Sequence, residues 1–204
     1  MAAWVTVAEL KRVFERLQFA YSGTWSDAEL DALILRKQDD FEGDTRRKFS
    51  IATYTDERYD GNGRERMVLN QYPVVVLSSV VFLSGSHCTN EAVDLSAFWL
   101  DASKGVLVLL QGCCQDCFPE GVRNVSITYS AGYASIPNTI KEAILKAAAL
   151  EAITATPSRH QIDGVKSLRI LNYSVSYNGS YSDLFEGWKA DYEKAVDGFK
   201  RIYL

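Results

Sequence analysis

Four cysteines and two histidines are the residues of this chain best suited to thiol or metal chemistry. Cys113, Cys114 and Cys117 fall within GCCQDCFPEG, and Cys88 follows His87 in a second loop-like stretch. Tetrahedral zinc takes thiolate and imidazole ligands, and Cys114, Cys117, Cys88 and His87 are the set that would offer them. A zinc site of this kind is built from two well-spaced pairs, but Cys113 and Cys114 are adjacent. Neighbours in extended chain point to opposite sides, so both reaching one ion is awkward. A thioredoxin-type Cys-x-x-Cys needs a strand before it and a helix after it, whereas Phe118-Pro119-Glu120-Gly121 reads as a turn. The cysteines are therefore read as unmodified loop thiols, with a disulfide and then a metal site as the alternatives. No cofactor is expected.

The other candidate chemistry is equally thin. His87 and His160 lie in apparent loops, away from any Gly-x-Ser-x-Gly nucleophile signature. Gly61-Asn62-Gly63 lacks the last glycine and the following helix of a dinucleotide fingerprint, and no Gly-Lys-Ser/Thr phosphate loop occurs. Asp39 with Asp40, or Asp56 with Glu57 and Asp60, have the oxygen ligands a divalent cation takes, but a solvated acidic face explains them as well. No catalytic residue is assigned, and the chain is not expected to be an enzyme.

At 204 residues the chain is long enough to bury a core as one large domain or two small ones. A net charge of −4 argues against gripping nucleic acid, which requires clustered Lys and Arg. The longest apolar run, residues 72–83, is too short to span a bilayer. The segment MAAWVTVAELKRVFE lacks a charged leader followed by a long apolar core. Neither membrane insertion nor export is expected, so the Asn-x-Ser triplets at Asn124, Asn172 and Asn178 are taken as chance. The expected compartment is cytosolic or, for a viral protein, the cytoplasm of an infected cell.

The elements follow from periodicity. Thr6 with Glu9 and Ser26 with Glu29 are capping boxes. They open an apolar stripe at Val7, Leu10, Phe14 and Leu17, and a second at Leu30, Leu33, Ile34 and Phe41. The second helix is expected to end near residues 46–49, with Arg46, Arg47 and Lys48 complementing its dipole. From residue 51 to 133 the period changes to that of strands. A hairpin is expected about Gly61-Asn62-Gly63, then a Pro73-led strand over 74–83. A second hairpin is expected over 98–110, and a strand over 122–129 with Val125, Ile127 and Tyr129 on one face. Helix returns over 138–155, with Ile140, Ala143, Ile144, Ala147 and Ala148 on one face, and stops at Pro157. Residues 167–177, SLRILNYSVSY, read as an isolated strand whose hydrogen-bonding partners must be distant or on another chain. A last helix over 183–203 strings Phe185, Trp188, Tyr192, Val196, Phe199 and Tyr203 along one stripe. The fold class is α+β: a discontinuous helical domain (1–50 and 134–204), an inserted antiparallel β-module (51–133), and an extended C-terminal arm plus helix.

Several of these segments carry a resemblance. NVSITYSAGYASIPNTIKEAILKAAALEA, SDAELDALILRKQDDFEGDTRRKF, YDGNGRERMVLNQYPVVVLSSV and LRILNYSVSY with its aromatic helix occur in the order found in head–tail connector proteins. In sequence and arrangement the chain resembles this adaptor, or head completion, family of tailed double-stranded DNA bacteriophages. Residues 84–95 and the cysteine loop at 112–117 depart from the pattern. The resemblance implies a structural virion protein that forms a ring, expected to be dodecameric, below the portal at the capsid vertex. Such a ring extends the DNA channel and joins the capsid to the tail or neck. It would assemble in the infected bacterial cell and take part in genome ejection. The implied partners are copies of itself, the portal protein and a downstream neck, stopper or tail protein. DNA would pass through without specific binding. Docking is assigned to the arm, through Leu168, Ile170 and Tyr173 or the opposite-facing Leu171 and Val175. Trp188, Phe199 and Tyr203 are candidate anchors, with packing into the subunit's own helical core as the plainer alternative. The competing functional reading is a small zinc- or peptide-binding module without catalysis.

Overall fold

A computed structural model describes residues 3–17, 24–83, 91–110, 117–155, 167–170, 173–176 and 181–200. The protein is α+β. It divides into two compact units, one from both ends of the chain (Met1–Thr45 with Ile136–Lys200) and one from the middle (Arg46–Ser135).

The first unit holds α1 (Val7–Arg16), α2 (Asp27–Thr45), α3 (Asn138–Ala155) and α4 (Tyr181–Phe199). Both capping boxes form. The Thr6 hydroxyl accepts from the Glu9 N–H at 3.2 Å while the Glu9 carboxylate accepts from the Thr6 N–H at 2.8 Å. Ser26 and Glu29 repeat the exchange at 3.3 and 2.8 Å. Each box pairs N–H groups that a helix start otherwise leaves open. Leu10 and Phe14 of α1, and Leu30, Leu33, Ile34 and Phe41 of α2, are buried. On α3 the buried face is Ile140, Ala143, Ile144, Ala148, Ala149, Ala152 and Ile153. Its alanines keep the backbone within reach of α1, α2 and α4, all of which pack on α3. Among the described residues, no helix is long and apolar enough to cross a membrane.

Helix α2 stops because Thr45 turns its hydroxyl back onto the Phe41 carbonyl at 2.7 Å and Arg46 adopts a left-handed φ of 55°. Of the basic trio expected to complement the helix dipole, Arg46 and Lys48 are exposed just past the end of α2, but Arg47 turns inward. Arg47 is 3% exposed inside the second unit, its guanidinium 3.4 Å from the centroid of the Tyr72 ring and 5.2 Å from that of Phe49. It also donates to the Tyr72 carbonyl. Burial pulls its pKa down, opposed by the tyrosines around it, and its planar cation stacks where an ammonium would not.

Among its described residues the second unit has seven strands in two antiparallel sheets. One orders β1 (Ala52–Gly61), β7 (Gly121–Ala131), β3 (Val74–Phe82) and β4 (Glu91–Val93) as β1-β7-β3-β4. The other orders β2 (Arg66–Val68), β6 (Val106–Leu109) and β5 (Phe98–Asp101) as β2-β6-β5. The hairpin over 98–110 is present, with Trp99 opposite Val108. The hairpin anticipated at Gly61-Asn62-Gly63 is not. There the Asn62 carboxamide accepts from the Arg64 N–H at 3.0 Å and donates to the Arg66 carbonyl at 2.8 Å. The strands on either side leave for different sheets, β1 to β7 and β2 to β6. The turn chemistry was legible, but pairing was decided by which neighbour could bury the apolar face.

The core of this unit lies between the inward faces of the sheets. Val125, Ile127 and Tyr129 of β7 are fully buried, as are Leu107 and Phe118. Phe118 meets Phe98 and Phe82 with ring centroids 6.0 Å away in each case. A polar knot crosses this core. Glu57 accepts hydrogen bonds from Tyr59 and Tyr129 at 2.6 Å each and from the Asn70 carboxamide at 2.6 Å. The same two hydroxyls accept from the backbone N–H groups of Asn70 at 2.9 Å and Gln71 at 3.2 Å. The link from β2 to β3 is thereby tied to the larger sheet. Where the chain enters and leaves the unit, Ser50 forms a parallel bridge with Tyr133, and the rings of Phe49 and Tyr133 stack at 6.2 Å.

Candidate docking surfaces

In the helical unit α2, α3 and α4 frame a groove of about 910 Å³. Alanines on α3 let the flanking helices approach, while Ala147, Leu150 and Thr154 remain on the groove wall. From α4, Phe185 is buried, and the half-buried Trp188 ring lies 6.1 Å from it. Tyr192 meets Phe41 edge-on at 5.7 Å and donates to Asp44 at 3.0 Å. Burial and the Asp44 carboxylate raise the pKa of that phenol well above its ordinary 10, so it stays a donor.

The groove is acidic. Asp39, Asp40, Asp44, Glu151, Glu186 and Glu193 line it against Lys37 and Lys189. Lys37 lies between Asp40 at 2.9 Å and Glu151 at 2.7 Å. Burial lowers the Lys37 pKa, but its two carboxylate partners outweigh that, so the net shift is upward. Glu151 also bonds Arg36. Asp39, Glu186 and Glu193 stand on the exposed rim together with Lys189. The pairing of Lys146 with Asp191 at 2.6 Å ties α3 to α4 and holds the Asp191 carboxyl below its ordinary range.

The three-stranded sheet offers a second surface. Its inward residues Met67, Leu107 and Leu109 are buried. Its register aligns Arg66, Val108 and Trp99 in one row on the opposite face, and Val68, Val106 and Asp101 in the next. Trp99 is 55% exposed. Asp101 is held by its own turn, accepting from Ser103 at 2.6 Å with Lys104 at 3.9 Å.

The residues singled out from sequence fall in three places. SLRILNYSVSY is not a lone strand awaiting a distant partner, because β8 (Ser167–Ile170) pairs antiparallel with β9 (Tyr173–Ser176) as a two-stranded sheet. Leu171 and Asn172 alone separate them, and a two-residue connection is the commonest hairpin closure. The alternation slips by one residue at Ile170-Leu171, where two apolar residues are adjacent, and that slip marks the break. The register opposes Leu168 to Val175 and Ile170 to Tyr173, so those four positions share one face instead of being divided between two. Leu171 and Tyr203 lie outside the described residues. Trp188 lines the groove and Phe199, the last residue of α4, is half-buried, while α4 buries Phe185 and Ala195 most deeply. Of the metal candidates, Cys88, His87 and Cys114 lie outside the described residues, and Cys117 is a half-buried free thiol. Among the described residues, no group of three or more His, Cys, Asp or Glu side chains is arranged to hold a metal ion.

Sequence reasoning took Asp39 and Asp40 as a solvated face and left Asp44 unremarked. The spacing of the three along α2 is the signal that they border one groove. The Arg66–Val108–Trp99 row was not anticipated, and the alternation in RMV and FWLD was its only trace.

No protein-family profile and no curated protein matches the sequence. Among solved structures, the chain is similar to a chain of the neck of an empty GTA particle computed with C6 symmetry. The TM-score is 0.49 at 17% identity, covering 97% of this chain and 90% of that one. It is also similar to a chain of the virion of a native gene transfer agent (GTA) particle, with TM-score 0.48, 16% identity, and coverage of 97% and 90%. A third is a chain of the neck of a native GTA particle computed with C12 symmetry, with TM-score 0.45, 15% identity, and coverage of 97% and 89%.

Proposed function

We propose that this chain is a structural protein of a virion neck, a connector that forms a ring below the portal and joins the capsid to the tail or neck. The observation that carries the reading is the arm. Among the described residues, β8 and β9 pair only with each other, and their register puts four apolar positions on one face. An isolated hairpin is marginal in water and gains stability by adding a strand or covering its apolar face. A neighbouring subunit or the portal provides that cover, through main-chain pairing and pockets for Leu168, Ile170, Tyr173 and Val175. Trp188 and Phe199 on the following helix are further anchors, because half-buried aromatics release energy when a partner completes their burial. The net charge of −4 suits a channel wall, since it favours passage of DNA over its retention. No catalytic or cofactor role is assigned.

Portal rings co-sedimented with this protein and imaged by negative-stain microscopy test the reading. The wild-type chain is expected to cap the portal as a ring, twelve copies being the expected number. Leu168→Ser with Tyr173→Ser is expected to abolish attachment with no change in the melting of the helical and β units. Deletion of the whole arm and helix is a poorer test, because α4 buries Phe185 and Ala195 in the helical unit. A protein that stays monomeric at every concentration and never sediments with portal rings refutes the proposal.

A further inference from the structure

We infer that the acidic groove between α2, α3 and α4 receives the Arg66–Trp99 sheet face of a second copy, so that each subunit docks its β unit on the helical unit of the next. The inference rests on the ring reading above and specifies the contact that would close the ring.

Three observations lead to it. The groove has an aromatic wall, Trp188 and Tyr192, beneath a rim on which Asp39, Glu186 and Glu193 leave a negative excess. The sheet face has the opposite character, with the exposed Trp99 indole and Val108 in register with Arg66 and two further valines in the next row. Its one carboxylate, Asp101, is engaged within its own turn. Trp and Arg are the residues that dominate interface energetics, and a guanidinium meets carboxylates in a two-pronged fork. A face bearing both fits a groove bearing carboxylates and aromatic rings.

The same charges decide between geometries. Two grooves placed face to face would oppose like charges, which disfavours an isologous dimer. Joining two different surfaces gives a heterologous contact, which propagates and closes into a ring when the rotation permits. A second copy is therefore the occupant that satisfies both surfaces at once.

Sedimentation velocity on the full chain tests this, with melting curves as the folding control. The variants are Glu186→Lys with Glu193→Lys on the groove, and Arg66→Glu on the face; all three positions are exposed, so unchanged melting is expected. Each variant alone is expected to self-associate at least about tenfold more weakly than wild type, a difference of about 1.4 kcal/mol. Mixing the two is expected to restore association, because each then offers the other an opposite charge at both contacts, in an alternating ring. Added salt is expected to weaken wild-type association. The inference is overturned if both variants assemble like wild type, or if the mixture stays dissociated. It is also overturned if Glu186→Lys with Glu193→Lys loses portal binding but keeps self-association, which would assign the groove to a basic segment of another protein. A wild-type chain that remains monomeric in solution overturns the inference, and it sinks the ring reading as well only if it also never sediments with portal rings. Loss of assembly only in the groove and face variants leaves that reading standing and supports the inference.

Discussion

Removing one hydroxyl from the β unit should measure how firmly its two sheets are tied together. Tyr129→Phe keeps the ring, and with it the stacking on Tyr54 at a centroid distance of 5.3 Å. It deletes a donor 2.6 Å from the Glu57 carboxylate and an acceptor 3.2 Å from the Gln71 N–H. A hydrogen bond to a charged group contributes about 1.5–3 kcal/mol, and a buried N–H left without an acceptor costs about 1 kcal/mol or more. Tyr59 still reaches Glu57 at 2.6 Å and limits the damage. The expected loss is about 2–3 kcal/mol, read at pH 7 from the urea midpoint at unchanged slope. Glu57→Gln alone should also destabilise. Because all three side chains share one knot, the double variant should fall short of the sum by about 1 kcal/mol. The pH dependence has a definite sign. Burial first, then the bond to Glu57, raises the Tyr129 pKa above its ordinary 10. A raised acid is favoured in its neutral form by folding, so its contribution is complete below pH 10 and is lost as pH climbs past that value. The alkaline loss of stability should shrink in Tyr129→Phe. A cost under about 0.5 kcal/mol, or strict additivity with Glu57→Gln, would refute the idea that this knot ties the sheets.

Two further perturbations follow from local geometry. Gly132 has φ 131°, and a Cβ there would lie 2.6 Å from the Ser50 carbonyl oxygen, so Gly132→Ala should cost about 3 kcal/mol or more in thermal or urea unfolding. A variant as stable as wild type would show that the approach of the chain at residues 50 and 132 relaxes freely. Ser26→Ala should cost about 1 kcal/mol. Hydrogen bonds from Ser26, and in the other box from Thr6, hold the Glu29 and Glu9 carboxyls below their ordinary 4.5. A depressed carboxyl stabilises above that value and stops doing so as pH falls through its folded pKa. The helical unit should therefore lose some stability on acidification below about pH 4.5, read as a lower urea midpoint by helical circular dichroism. Thr6→Ala with Ser26→Ala should flatten that acid slope, and an unchanged slope would exclude the boxes as its source.

The helical unit was largely readable because its signals are local. A capping box spans four residues, an apolar stripe recurs every three or four, and Pro157 sets a limit; none of these requires knowing what lies across the core. The 98–110 hairpin was readable for the same reason. Long-range choices were not. Gly61-Asn62-Gly63 gave a turn without pairing the strands beside it, since β1 finds β7 some sixty residues later. Arg47 read as a helix-end cation because nothing nearby in sequence announces Tyr72 and Tyr133 as its surroundings. In SLRILNYSVSY the alternation slips by one residue at Ile170-Leu171, a faint local sign of a hairpin that a one-strand reading passes over. The groove depends on three helices whose touching residues Asp44 and Tyr192 lie 148 positions apart, and only the acidic spacing on α2 hinted at it.

The bridge between Ser50 and Tyr133 places the two ends of the middle unit within one strand spacing, about 4.8 Å. An insertion whose ends meet is a cassette, because a host chain needs only a short gap to accept it and is not stretched by what it carries. Grafting residues 46–135 into a surface loop of an unrelated scaffold therefore becomes practical, as does exchanging them for a different β unit. Lineages carrying such a chain could renew one half of the molecule by recombination while leaving the other untouched.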